Sequence, residues 1–234
     1  MMHPGRVRRL ALFVTVVAAA ACATNPATGL REFSLMSEAQ EIALGRESDA
    51  QIREEMGVYD DPELQRYVSG IGLRLAKLSE RPALPWQFTV VDQPAINAFA
   101  LPGGFIYITR GILPYLDNEA ELAGVLGHEI GHVTARHSVQ QMSAATAAGV
   151  GATLLEIFVP VLRNQAGDAA INALGNVLLS GYGRDHELEA DRLGEALCGG
   201  LFIHREYRHG TYTATMTVQA FGGDMYQGSV TFTR

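Results

Sequence analysis

The chain has 234 residues, 47% of them hydrophobic, enough to build one ordinary core with a small appendage. Its net charge of −7, with no stripe of Lys and Arg, excludes a nucleic-acid binder. Two cysteines, Cys22 and Cys198, exclude a disulfide framework once the first is otherwise engaged.

Residues 1–21 read as an export signal: Arg6, Arg8 and Arg9 precede an apolar run from Leu10 to Ala21, too short to span a bilayer as a stable helix. Ala19, Ala20 and Ala21 before Cys22 resemble a bacterial lipobox, which implies cleavage before Cys22 and lipid attachment to it. Ala23 in the next position, in place of an acid, then favours the outer membrane of the cell envelope, on its periplasmic side. Loss of the three leader arginines leaves 15 basic and 25 acidic residues, net −10. Such a domain is held by its lipid and not by attraction to anionic headgroups.

Residues 22–34, rich in Pro, Thr, Asn and Gly, suit a lipidated tether. Residues 35–198 form the main domain. Ser37 with Gln40 opens a helix running to about Met56, and Asp61-Pro62 opens a second reaching about Leu78. Leu64, Val68, Ile71, Leu75 and Leu78 recur at helical spacing on the second helix, a core stripe. After Pro82 and Pro85, Gln87 to Val91 reads as a strand. Ala95 to Ala100 and Phe105 to Thr109 read as two more, joined at a Pro-Gly-Gly turn.

The stretch LAGVLGHEIGHVTARH, Leu122 to His137, carries the chemistry. Asn118 with Glu121 gives a capping signature, and Ala123, Leu126, Ile130 and Val133 make an apolar stripe. His128, Glu129 and His132 form H-E-x-x-H. Residues four apart share a helix face, so two imidazoles can bind one ion while Glu129 stands beside them to move a proton. Neutral imidazole and carboxylate suit Zn²⁺. Gly124, Gly127 and Gly131 each cost the helix about 1 kcal/mol relative to Ala, which asks for a backbone or substrate strand passing close by.

Ala144 to Leu162 is an apolar run of small residues broken by Glu156 and Pro160, read as a helical hairpin in preference to a flap or a membrane span. Then GRDHELEADRLG, Gly183 to Gly194, supplies acids at helical spacing. Glu187 as third ligand would put Asp191 one turn on, in reach of a ligand imidazole. Glu189 is the competing ligand, pointing about 160° away on a helix. His137 lies five residues beyond His132 and so points elsewhere on the helix.

Together NAFALPGG at Asn97 to Gly104, HEIGHVTARHS at His128 to Ser138 and GRDHELEADRLG resemble the HtpX, BepA and CAAX-prenyl-protease group of zinc metallopeptidases. The start NPATGLREFSLMSEAQEIALG resembles its periplasmic lipoprotein branch. The resemblance implies a gluzincin-like, mostly helical α+β fold with an active-site helix beside a small β-sheet. It implies His128, His132 and Glu187 as ligands of one Zn²⁺ and Glu129 as general base and acid. Asp191 and His137 would support the ligands, and Asn97, Ala98, Phe99 and Ala100 would align an unfolded or misassembled protein substrate.

Residues 199–234 depart from that pattern: Thr211 to Phe221 alternates, and Gly222-Gly223-Asp224 leads into a second alternating run, a β-hairpin tail. His204, Tyr207 and His209 are candidates to stabilise an oxyanion. The leading expectation is an exported zinc metalloendopeptidase acting on misfolded or unassembled envelope proteins. Its rivals are a non-catalytic chaperone or scaffold that binds unfolded chains, and a latent enzyme with Cys198 or a tail histidine as fourth zinc ligand.

Overall fold

A computed structural model describes residues 22–147 and 181–198 together with the backbone of the strands at 204–208, 211–219 and 225–233. The leader at 1–21 lies outside the described residues, as do most of Ala144 to Leu162, and His209.

Two short strands, β1 (Cys22–Thr24) and β2 (Arg31–Phe33), pair antiparallel with Cys22 opposite Phe33. The stretch read as a tether is thus a hairpin. Asn25 makes it one: its side-chain oxygen accepts from the backbone N–H of Ala27 at 2.8 Å and of Thr28 at 3.3 Å, closing an Asx turn that Gly29 completes at φ +71°.

Helix α1 (Glu38–Met56) starts at Ser37 with the reciprocal box expected, the Ser37 N–H donating to Gln40 Oε1 at 2.8 Å. Helix α2 (Pro62–Ala76) starts at Asp61, whose carboxylate accepts from Glu63 and Leu64, both at 3.0 Å. The strands β3 (Gln87–Val91), β4 (Ala98–Leu101) and β5 (Phe105–Thr109) form one sheet in the order β3-β5-β4, parallel between β3 and β5 and antiparallel between β5 and β4. β4 begins three residues later than its composition suggests. The Thr109 hydroxyl bonds the Ala95 and Asn97 carbonyls at 2.6 and 2.8 Å, holding the approach to the strand in a bend.

Both faces of this sheet are covered, which is why β5 is buried at every position. Ile106 and Ile108 join Val68, Ile71 and Leu75 of α2 in one cluster. Phe105 and Tyr107 face the other way, into a cluster with Leu44 of α1, Val139 and Met142. At the β4–β5 turn Gly103 adopts φ +81°, and a Cβ there would lie 2.7 Å from Ile42 Cα. Its N–H donates to Glu41 Oε1 at 3.2 Å.

Helix α3 (Glu119–Thr134) carries H-E-x-x-H; its stripe Leu126, Ile130 and Val133 enters the first cluster. Asn118 caps it by accepting from Ala120 and Glu121. Helix α4 (His137–Ala147) follows after a two-residue break, and helix α5 (Arg184–Leu197) carries the acidic motif. The glycine strip of α3 meets α5. A Cβ on Gly131 would lie 2.7 Å from the Ala190 carbonyl oxygen, and one on Gly194 would lie 2.9 Å from the His128 nitrogen. Backbone therefore packs on backbone, and the close partner expected for this strip is a helix of the chain itself.

Finally β6 (His204–Arg208), β7 (Thr211–Gln219) and β8 (Met225–Thr233) form an antiparallel sheet in that order. The hairpin read from alternation is β7–β8; β6 adds a strand that the residues HREYR, with five polar or aromatic side chains in a row, did not announce. The arrangement is α+β, with five α-helices among the described residues and the H-E-x-x-H helix beside a small sheet. Among the described residues no helix is long and apolar enough to cross a membrane.

A buried ionic cluster fastens α1 to the end of α3. Glu41, 1% exposed, receives Arg81 at 2.8 and 3.0 Å and Arg136 at 2.8 Å, while Arg81 also donates to the Val133 carbonyl at 2.9 Å. Replacing Glu41 by Ala takes the carboxylate from Arg136 and leaves Arg81 only the exposed Glu38, and urea unfolding is expected to show a loss of about 3–5 kcal/mol. A loss under about 1 kcal/mol would contradict the role given to this cluster. For the helix seam a paired measurement applies. Gly70, in α2 with open space at its Cβ position, is expected to gain about 1 kcal/mol on substitution by Ala. Gly131→Ala is expected to lose about 1–3 kcal/mol because the Ala190 backbone must give way. Equal stabilisation of both variants would show that the seam does not need its glycines.

Candidate metal centre

The break between α3 and α4 builds one side of the centre. Arg136 takes φ +60°, a left-handed conformation rare outside glycine, and is held there by Glu41 and by the Met36 carbonyl at 2.7 Å. The chain reverses, and His137 opens a new helix with its ring turned back. His137 Nδ1 lies 2.9 Å from His132 Nδ1. The expectation that five residues of helix would aim His137 elsewhere is therefore corrected: the helix does not continue.

The other side comes from α5. Because Gly127, Gly131, Ala190 and Gly194 let the two helices approach, Glu187 reaches the two imidazoles of α3. His128 Nε2 and His132 Nε2 lie 3.0 Å apart, and the Glu187 carboxylate lies 3.5 Å from the first and 3.8 Å from the second. These three donor atoms all fall within 4.8 Å of one another. Donors held 2.0–2.1 Å from a tetrahedral ion sit about 3.3 Å apart, so this set is spaced to close on one cation. Two nitrogens and one oxygen are also the right donor chemistry for zinc.

Each imidazole has a partner on its other nitrogen. Asp191, one turn after Glu187, meets His128 Nδ1 at 2.9 Å; His137 meets His132 Nδ1. Glu189, the competing ligand by sequence, turns away from the three donors and meets His137 Nε2 at 3.3 Å. Cys198 also turns away, its thiol donating to the Ala123 carbonyl at 3.6 Å; burial pushes that thiol up to about 11. The latent arrangement with Cys198 as fourth ligand is thus contradicted.

The electrostatics favour a positive charge here. Burial works against the His128 imidazolium, but the Asp191 and Glu187 carboxylates, with Glu129 nearby, outweigh it and hold the ring protonated up to about 10. Glu129 is 8% exposed on α3, and its burial raises it to about 7; the charge of His128 opposes this rise and that of Glu187 adds to it.

Two further side chains escaped sequence reasoning. The Tyr182 ring stacks on His132 at 4.0 Å, with its hydroxyl fixed to Ser138 Oγ at 2.6 Å. His186 stacks on His137 at 4.4 Å. Tyr182 lies just outside the quoted motifs, and His186, although inside GRDHELEADRLG, has no spacing that marks it, so only the fold brings them to the rings. Asn97, Ala98, Phe99 and Ala100 lie at and just before β4, the edge of the three-stranded sheet, while only the backbone of His204 and Tyr207 is described.

The chain is similar to known proteases. The chain is 34% identical over 178 residues to the beta-barrel assembly-enhancing protease of Escherichia coli K12, which covers 73% of this chain and 36% of the relative. It is 34% identical over 128 residues to the mitochondrial metalloendopeptidase OMA1 of Schizosaccharomyces pombe, covering 55% of this chain and 37% of the relative. The aligned part is thus about a third of the length of these relatives. Residues 62–202, which hold the sheet, the three donors and the helix seam, match Peptidase family M48, and the chain belongs to that family.

Proposed function

We propose that this chain is a zinc-dependent metalloendopeptidase of the bacterial cell envelope that hydrolyses peptide bonds in misfolded or unassembled envelope proteins. The observation that carries the reading is the convergence of His128, His132 and Glu187 from two helices, with Glu129 beside them. The relative named a beta-barrel assembly-enhancing protease supports an envelope substrate. Residues 1–21 export the chain, and lipid on Cys22 holds it at the periplasmic face of the outer membrane.

His128, His132 and Glu187 would hold zinc, which would supply Lewis-acid chemistry toward the scissile carbonyl and water. The rest falls to the protein. Asp191 and His137 fix the planes of the two imidazoles, so that both Nε2 lone pairs face one point. Glu129 takes a proton from the attacking water and delivers it to the leaving amine. Its buried position excludes bulk water from that transfer. Asn97 to Ala100, at the open edge of the sheet, receives an extended substrate strand through main-chain hydrogen bonds, which suits clients recognised by lack of structure more than by sequence.

The purified chain should carry one zinc, digest casein, lose activity to a chelator and regain it with added zinc. Glu129→Gln should keep the metal and lose about 10²–10⁴-fold in turnover. Casein binding that survives metal removal, with no cleavage by the zinc-loaded protein, would identify a chaperone-like binder instead. Separately, intact mass should report acylation at Cys22, and Cys22→Ser should release the protein from the membrane fraction; a membrane-bound variant would refute the anchor.

A further inference from the structure

The contact between His132 and His137 has a direction. Two ring nitrogens 2.9 Å apart share one proton, so one ring donates and the other accepts. If His132 gives its Nε2 lone pair to a metal, its proton sits on Nδ1 and points at His137. His137 must then be neutral, with a bare Nδ1 and its own proton on Nε2. That proton faces Glu189 Oε2 at 3.3 Å.

The surroundings of His137 suit this state. The ring is 0% exposed, and its two nitrogens meet only His132 Nδ1 and Glu189 Oε2 among the contacts described. His186, stacked at 19° to it, holds the ring plane. Glu189 is itself placed from outside by the N-terminal hairpin. The Asn25 amide hydrogen-bonds the Glu189 carboxylate. Asn25 also donates to Glu32 Oε1 at 2.8 Å, and Gln140 of α4 bonds Glu32 Oε2, so hairpin, α4 and Glu189 form one assembly.

We propose that Glu189 is a positioning residue: by accepting the Nε2 proton of His137 it selects the tautomer of His137, which in turn orients His132 and sets the metal affinity of the site. Without an acceptor there, His137 is free to carry its proton on Nδ1. Two N–H groups would then face each other, and His132 would have to move its proton to Nε2, the nitrogen that a metal needs. The inference rests on the reading of His128, His132 and Glu187 as the ligand set.

The test compares wild type, Glu189→Leu and Glu189→Gln by Co²⁺ and Zn²⁺ titration against a chromophoric chelator, with thermal unfolding of the metal-free proteins alongside. Glu189→Leu, which has no acceptor, should bind both ions about 10–100-fold more weakly. Glu189→Gln, whose amide oxygen still accepts, should recover most of that loss. Equal affinity in wild type and Glu189→Leu overturns the proposal, as does an equal loss in both variants. A second readout needs no variant: nitrogen NMR of zinc-loaded wild type should report His137 with a bare Nδ1 and a protonated Nε2, and the opposite tautomer overturns the proposal. Wild type that binds neither ion would instead refute the ligand set itself.

Discussion

The close crossing of α3 and α5 is the constraint on which the centre depends. H-E-x-x-H supplies two imidazoles on one face, but a carboxylate side chain has only two methylenes, so its helix must come near enough for Glu187 to reach. Gly127, Gly131 and Gly194, with the small Ala190, let the two helices meet backbone to backbone. The helix propensity given up at these positions is a cost accepted for that approach. The same contact fixes the rotation of α5, because Glu187 and Asp191, four residues apart, both have to face α3.

A second device works from the opposite end of the helix. The Glu41–Arg81–Arg136 cluster ends α3 and holds Arg136 in a left-handed turn, so that His137 returns to His132. Burying three charges is justified energetically only when each is paired, and here Glu41 serves two arginines and the Gly103 N–H at once. The cluster thereby joins the sheet turn, α1 and the α3–α4 break around one carboxylate. The three donors and the side chains that meet their rings come from α3, α4 and α5.

How much of this was legible in the residues depended on whether the signal was local. Ser37 with Gln40, Asp61-Pro62 and Asn118 marked helix starts because capping acts within four residues. The runs QFTVV and FIYIT marked strands by their β-branched and aromatic residues. The H-E-x-x-H spacing and the Glu187–Asp191 spacing could be read because both follow the pitch of a helix. The break at Arg136 could not, since neither Gly nor Pro stands there and the left-handed turn is imposed by Glu41, 95 positions away. The glycine strip signalled a close neighbour without saying which. Tyr182, His186 and the role of Glu189 depend on rings and carboxylates that meet only in three dimensions. The hairpin at 22–33 was missed because a Pro, Asn and Gly-rich composition describes a tether and an Asx turn equally well.

Membership of a peptidase family and the arrangement of three donors together make one central claim: a single ion held between α3 and α5. Anomalous diffraction from crystals of the zinc-loaded protein tests it most directly. The account predicts one zinc peak bonded to His128 Nε2, His132 Nε2 and a Glu187 oxygen, with Asp191 and His137 bonded only to the rings. A zinc peak that excludes Glu187, or that lies away from this helix pair, would contradict it.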